Sequence, residues 1–346
     1  MESLTMPYHK DMEKYLVTGA SGQLGHALQL AFGGEDGNAM PRAREALDIT
    51  NTQQVVDWLP TVRPDIVINC AAYTNVPQAE REREDCWRVN ALGVDNLARV
   101  CSELEIPLIH ISTDFVFGQD FARCMSQPFD PTRPRSAGPA EVKERVYYTE
   151  ECPIGPVGFY AQSKAAGEHA ILARGAENPD FDYYIVRTAG LFERPWRQGN
   201  NFPFKIMRRL IGSGAKDRLP VVSDVHTNIC FVDHLVAAIK WMVLNRNEWS
   251  SEIGPIVPPG IYHVTNERPT TWFEVAQRLA YSVGKSSQIV PSTRRSYAES
   301  VGVPPDSSPS FTCLDTSKYQ ESFGPRMPNW DVAIDQWCEL AKKYFT

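Results

Sequence analysis

Tyr160 and Lys164 stand four residues apart in the run Tyr160-Ala-Gln-Ser-Lys164, so on a helix a phenol and an ammonium share one face. A free phenol titrates at about 10 and is a poor acid–base group at neutral pH, whereas an ammonium beside it favours phenolate. Such a pair suits proton transfer at a carbonyl or alcohol oxygen. A hydroxyl donor to bind that oxygen is at hand in Ser112-Thr113, just past the apolar run Leu108–Ile111. The spacing alone is weak evidence, because Tyr281 and Lys285 repeat it. That second pair has Gly284 between its members and no glycine-rich turn ahead of it, so it reads as structural.

A second element gives the pair something to work with. The run Tyr15-Leu-Val-Thr18 leads directly into Gly19-Ala-Ser-Gly22-Gln-Leu-Gly25, a strand followed by a Gly-x-x-Gly-x-x-Gly turn and a helical pattern. Gly19 allows the tight turn, Gly22 lets backbone N–H groups approach a pyrophosphate, and Gly25 lets helix and strand pack closely. The helix N-terminus adds partial positive charge. Dinucleotide sites that prefer NAD end their second strand with an acid. Here the corresponding stretch, Asn38-Ala-Met-Pro-Arg42-Ala-Arg44-Glu45, displaces the acid and offers arginines where a 2′-phosphate would sit. NADPH is therefore expected ahead of NADH, with Arg44 preferred to Arg42.

The elements that must position these groups follow from periodicity. Apolar runs at Tyr15–Val17, Asp65–Asn69, Pro107–Ile111 and Tyr183–Val186 alternate with helical patterns at Gln23–Phe32, Thr52–Leu59, Asp85–Leu104 and Phe159–Leu172. Alternating strands and helices predict βαβ units, and unbroken apolar strands predict a parallel sheet covered on both faces. The fold class is α/β, a Rossmann-type doubly wound parallel sheet with a smaller, mixed α/β C-terminal substrate lobe. Later helices are predicted at Phe202–Ile211, Phe231–Leu244, Thr271–Val283 and Asp331–Tyr344, and a strand at Ile261–Val264. A length of 346 residues suits about two domains. The nucleotide-binding domain is placed at 14–190 plus 231–250, the lobe at 191–230 and 251–346, and a loose tail at 1–13. Gly118–Gly158, rich in Pro, Arg and Glu, is long for a loop in a compact domain and reads as a functional lid or a poorly ordered segment.

The composition, 42% hydrophobic and 22% charged, is that of an ordinary soluble globular protein. A net charge of −7 argues against general affinity for nucleic acid or anionic membrane. No run approaches the roughly 20 apolar residues of a membrane span, and no secretory leader is visible. Eight scattered cysteines without metal spacing fit a reducing cytoplasm and offer no metal site.

With these elements in order, the chain resembles the extended short-chain dehydrogenase/reductases, and among them the dTDP-4-dehydrorhamnose reductases. The resemblance runs from Tyr15 onwards. It is carried by Leu16-Val-Thr-Gly-Ala-Ser-Gly-Gln-Leu-Gly25, Leu47-Asp48-Ile49-Thr50, Asn69-Cys-Ala71-Ala72-Tyr73-Thr74 and Val89-Asn90-Ala91. It continues in His110-Ile-Ser-Thr113-Asp114-Phe-Val-Phe117, Tyr160-Ala-Gln-Ser-Lys164, Arg187-Thr188, Gly199-Asn200-Asn201-Phe202 and Thr270-Thr271-Trp272.

The resemblance implies catalytic roles for Thr113, Tyr160 and Lys164. It implies cofactor contacts from Gly19, Ser21, Gly22, Gln23, Leu24, Arg44, Asp48, Ile49, Ala71, Ala72, Tyr73, Asn90 and Ser112, together with Tyr160 and Lys164. Thr74, Val76, Thr113, Asp114, Phe115, Asn200, Asn201 and Phe202 would face a nucleotide-linked 4-keto-6-deoxyhexose, whose C4 ketone is reduced while Tyr160 protonates the alkoxide. Sugar dehydratases of this superfamily place an acid after the Asp that follows the catalytic Thr, and the fucose-type epimerase/reductases place a cysteine there; Phe115 fits neither. Simple reduction remains, with a homodimer left open. The chain departs from the family in its substrate half, where Ala189-Gly190 replaces Ser-Trp and Asp224-Val-His-Thr-Asn-Ile-Cys230 and Ser308-Pro-Ser-Phe-Thr312 replace familiar runs. A non-catalytic alternative is therefore retained, an NADP-binding regulatory subunit similar to that of methionine adenosyltransferase.

Overall fold

The computed structural model describes residues 14–33, 39–42, 47–118, 147–195, 201–212, 218–246, 249–250, 254–255, 257–324 and 326–345. The expected tail 1–13 and most of the expected insertion lie outside them, as do Arg44 and Asn200.

The first apolar run forms β1 (Tyr15–Thr18), buried along its length. The glycine turn leads into α1 (Gln23–Phe32), which buries Leu24, Leu28 and Phe32, one stripe at helical spacing. There follow β2 (Ala39–Arg42), α2 (Thr52–Val62) and β3 (Ile66–Asn69), then short helices α3 (Val76–Ala79) and α4 (Arg83–Trp87). A π-helical turn, Arg88–Leu92, joins α4 to α5 (Gly93–Glu103), so the single helix expected over Asp85–Leu104 is broken by one wide turn. Next come β4 (Leu108–Thr113), α6 (Phe159–Glu177) and β5 (Tyr183–Thr188).

With β6 (Gly260–His263), these strands build a parallel sheet of six in the order β6-β5-β4-β3-β1-β2. The register pairs Thr18 with Arg42 on one side and with Asn69 on the other, Asn69 with His110, and Thr113 with Thr188. The chain moves outward from β1 to β2 and then returns to build β3, β4 and β5 on the opposite side. The C-terminal ends of β1 and β3 thus flank the switch point, where open α/β sheets place their ligands. One sheet face is covered by α1 and the helix Val232–Asn245 through Leu28, Leu235, Ile239 and Val243. The other is covered by α2, α5 and α6 through Val55, Leu59, Leu97 and Ile171.

The expected division needs a correction at β6. The sequence pattern puts that strand in the lobe with residues 251–346, yet it pairs Tyr262 with Val186 and forms the edge of the central sheet. Helix Ser317–Phe323 also buries Tyr319 and Phe323 in the sheet's core. The lobe has its own core, in which Ile206 and Leu210 of helix Phe202–Ile211 meet Val275 and Leu279 of helix Trp272–Ser282 and Trp337 of helix Trp330–Phe345. Two strand pairs attach to it: Gly190–Phe192 with Ile229–Phe231, and Leu219–Val222 with Ile289–Ser292. Helix Trp272–Ser282 starts with a capping box between Thr271 and Glu274. Among the described residues no helix is long and apolar enough to cross a membrane, and no group of three metal-ligating side chains converges.

Candidate active site

Backbone geometry at the first turn fits an anion. Gly19 has φ +64°, and a Cβ there would lie 2.6 Å from the Ala71 nitrogen, so the turn packs against the chain leaving β3. A Cβ on Gly25 would lie 2.3 Å from the Gly19 carbonyl oxygen. Gly22 caps α1 without a side-chain hydrogen bond, and the helix's first turn holds no acid. The N–H groups of the first turn are therefore not taken up by a cap and can meet a phosphate. These features fit the pyrophosphate of a dinucleotide at Gly19, Ser21, Gly22, Gln23 and Leu24.

The segment after β3 forms the next wall. Tyr73 N–H donates to Asn90 Oδ1 at 2.9 Å, and Asn90 Nδ2 donates to the Tyr73 carbonyl at 3.1 Å and to Ser163 Oγ at 3.0 Å. Asn90 is fully buried inside the π-helical turn, and its amide holds the Ala71–Tyr73 backbone in place. A π-turn at such a position is a common way to aim one side chain. The Tyr73 hydroxyl donates to Glu82 at 2.6 Å. Val76 opens α3 behind Asn75, while Thr74 is exposed just before it. Asp48 accepts from the Thr50 N–H and hydroxyl, and Ile49 is buried against Gly93. Arg42 ends β2, beside Thr18.

Thr113 ends β4 with its hydroxyl 3.2 Å from the Phe115 N–H and 3.1 Å from Asp114 Oδ1, donating to the latter. Phe115 meets the Tyr160 ring edge-on, with centroids 6.0 Å apart. Burial pushes the Tyr160 phenol up, and the Thr113 hydroxyl beside it pulls only partly the other way. This reverses the expected depression by Lys164. The Lys164 ammonium is engaged elsewhere: Nζ donates to the Ile111 carbonyl at 2.7 Å and lies 3.2 Å from His110 Nε2. Lys164 is itself 2% exposed, and burial lowers it from 10.5 to about 8 against the opposing pull of Glu168. A protonated phenol suits a proton donor better than a proton acceptor.

Other expected contacts serve as supports. The Ser112 hydroxyl donates to Glu168 at 2.5 Å, and Glu168 forms a fully buried ion pair with Arg187 at 2.7 Å. Asp114 is buried and accepts from Thr227, Thr312 and Thr113; burial raises its carboxyl to about 6. Asn201 caps helix Phe202–Ile211 through Phe204 N–H, while its buried Nδ2 has no partner among the described residues. Phe202 packs on Trp272 with ring centroids 4.7 Å apart. Trp272 also fills the space beside Gly190, where a Cβ would come within 2.6 Å of the indole. Tyr281 is 76% exposed, and Lys285, past the end of its helix, donates to the Leu210 carbonyl. That second Tyr–Lys pair is structural.

Sequence reasoning did not single out Thr18, Asn69 or His110. All are buried, and they join β1, β3 and β4 side by side to Lys164. The signal was available, since each is a polar residue in or closing an otherwise apolar strand, where an unpaired polar group would be costly.

Comparison with known proteins agrees with this geometry. Residues 13–342 match the family described as RmlD substrate binding domain. A dTDP-4-dehydrorhamnose reductase of Streptomyces griseus is 30% identical over 324 residues, covering 93% of this chain and 92% of that protein. One from Mycolicibacterium smegmatis is 29% identical, covering 93% and 84%. The crystal structure of a dTDP-4-dehydrorhamnose reductase from Bacillus anthracis in complex with NADP superposes with a TM-score of 0.73 at 28% identity, covering 94% of this chain and 99% of that one.

Proposed function

The chain belongs to the RmlD substrate binding domain family, and from that premise we propose that it is an NADPH-dependent reductase of the C4 ketone of a nucleotide-linked 4-keto-6-deoxyhexose, of the dTDP-4-dehydrorhamnose type. The observation that carries the proposal is the meeting of Thr113 and Tyr160, with Lys164 one turn on, at strand ends beside an uncapped glycine turn. The NADP in the Bacillus anthracis relative supports the cofactor.

Gly19, Ser21, Gly22, Gln23 and Leu24 would hold the pyrophosphate, with Asp48 and Ile49 toward the adenine and Ala71, Ala72 and Tyr73 along the middle. Arg44, and after it Arg42, would meet the 2′-phosphate. NADPH supplies a hydride when bound. Thr113 would turn its one hydroxyl hydrogen from Asp114 to the substrate carbonyl, and Tyr160, held protonated by its burial, would give its proton to the C4 oxygen as negative charge develops there. Lys164 would stand one turn beyond the phenol, its Nζ held by the Ile111 carbonyl. Asn90 and Ser112 act behind these groups, through the Tyr73 backbone and Glu168. Thr74, Val76, Phe115, Asn200, Asn201 and Phe202 are the proposed sugar side, with Asp114 bracing it.

The test mixes the protein with NADPH and dTDP-linked 4-keto-6-deoxy sugars and follows the absorbance of the reduced cofactor. Oxidation dependent on the sugar is expected. Measurable NADPH binding with no oxidation by any nucleotide keto-sugar would sink the reductase and favour an NADP-binding regulatory subunit.

A further inference from the structure

The polar chain behind Lys164 has a fixed sense. The Ala71 N–H donates to Asn69 Oδ1 at 3.1 Å, and the Thr18 hydroxyl donates to the same oxygen at 2.7 Å. A backbone N–H cannot accept, so Ala71 settles which way the Asn69 amide faces. Its Nδ2 then faces His110 Nδ1 at 3.0 Å and donates to it. Burial, with the Lys164 charge adding to it, holds the His110 imidazole well below its usual value, so the ring is neutral. A neutral ring that accepts at Nδ1 carries its hydrogen on Nε2. That N–H points at Lys164 Nζ, 3.2 Å away.

We infer that His110 is a positioning residue for Lys164, locked by Asn69 as the Nε2–H tautomer so that it opposes the ammonium and donates to the lone pair of the neutral amine. When Lys164 is charged, two N–H groups confront each other across this contact. When it gives up a proton, the Nε2–H gains an acceptor, and the remaining amine N–H still serves the Ile111 carbonyl. The proton leaves Lys164 only; the ring keeps its own.

Other groups around Lys164 act on the same equilibrium. Glu168, on its own helix, raises its proton affinity, but that carboxylate is shared with Arg187 of β5 and Ser112 of β4. Cys70, half-buried after β3, and Cys86, buried on α4, are thiols held up and neutral. The Tyr160 phenol, one turn back, is likewise held protonated, and Asp114 lies on its side. Among the described residues His110 is the group that presents a donor to the amine.

The inference rests on the reductase reading for its catalytic meaning, but its test needs no turnover. Imidazole nitrogen and lysine side-chain NMR on the full chain, with Lys164 assigned by its loss in Lys164→Met, reads both groups. Wild type is expected to show His110 as the neutral Nε2–H tautomer at pH 7. In His110→Gln, whose amide can turn its oxygen to the ammonium, Lys164 is expected to titrate about one unit higher, a tenfold change in proton affinity. If the protein turns over, the alkaline limb of its kcat/KM profile should move with it. A His110 found charged or as the Nδ1–H tautomer, or a Lys164 titration unmoved in His110→Gln, overturns the inference. The wild-type tautomer decides alone if that variant does not fold.

Discussion

Asp114 Oδ2 accepts the hydroxyl of Thr227 at 2.9 Å, although 113 residues separate them, and Thr312 donates to the same oxygen at 2.5 Å. The other carboxylate oxygen accepts from Thr113. One buried acid thereby ties the proposed oxygen-binding hydroxyl at the end of β4 to two segments of the lobe that carries the proposed sugar contacts. Asp114→Ala leaves buried hydroxyls without their acceptor, which should cost about 2–4 kcal/mol. Urea denaturation is expected to show that loss, and kcat to fall while the NADPH Kd stays within about twofold. A stable variant with normal kcat would mean that Asp114 neither braces the lobe nor sets Thr113.

Tyr160→Phe removes the proposed proton donor and keeps the ring against Phe115. Positioned proton transfer contributes roughly 10²–10⁴ to rate, so kcat/KM should fall by that range with NADPH affinity nearly unchanged. Because burial holds the phenol up, the wild-type profile should show no alkaline limb belonging to Tyr160 near neutrality. Retention of most of the rate in the variant would remove Tyr160 from the mechanism.

Much of this arrangement is legible in the chain because it is local. The helix at Gln23–Phe32 and that at Phe202–Ile211 have the bounds their periodicity predicts, and the turn at Gly19–Gly25 is written in its glycines. Cross-strand facts are not local. That Asn69 faces His110, that β6 joins β5, and that Asp114 meets Thr227 and Thr312 depend on register and on which strands become neighbours. The phenol was misread for a related reason. The four-residue spacing gave the right face but could not show that Lys164 reaches past Tyr160 to Ile111 and His110.

Glu150 gives a pH signature. Its carboxylate accepts from the His263 N–H at 2.8 Å, and burial raises it from 4.5 to about 7 despite that bond. The folded protein then binds more protons than the unfolded chain between those values. The contribution is fully present below about 4.5 and is lost as pH rises through about 7. Glu150→Gln keeps an acceptor without charge, so it should be more stable than wild type above pH 7 by about 1–3 kcal/mol and nearly equal at about pH 4. Equal stability of the two proteins at pH 8 would show that the carboxyl is not held neutral.

Gly190 and Trp272 pack together beside Phe202, one of the proposed sugar contacts. The indole occupies the space beside Gly190 and also packs on Phe202, so any side chain at 190 must push a rigid ring that rests on a second ring. Gly190→Ala should therefore cost about 1–3 kcal/mol by overpacking. By shifting Phe202 it should raise KM for the nucleotide sugar more than for NADPH. Trp272→Leu makes room for the added methyl, so the stability losses of the two substitutions should fall short of additive by about 1 kcal/mol in the double variant. Strict additivity would mean that the two positions are not in contact, and KM values moving together for both ligands would place the pair outside the sugar site. If the coupling is found, the small residue at 190 and the large one at 272 form one packing unit, and sugar specificity should change only when both are exchanged together.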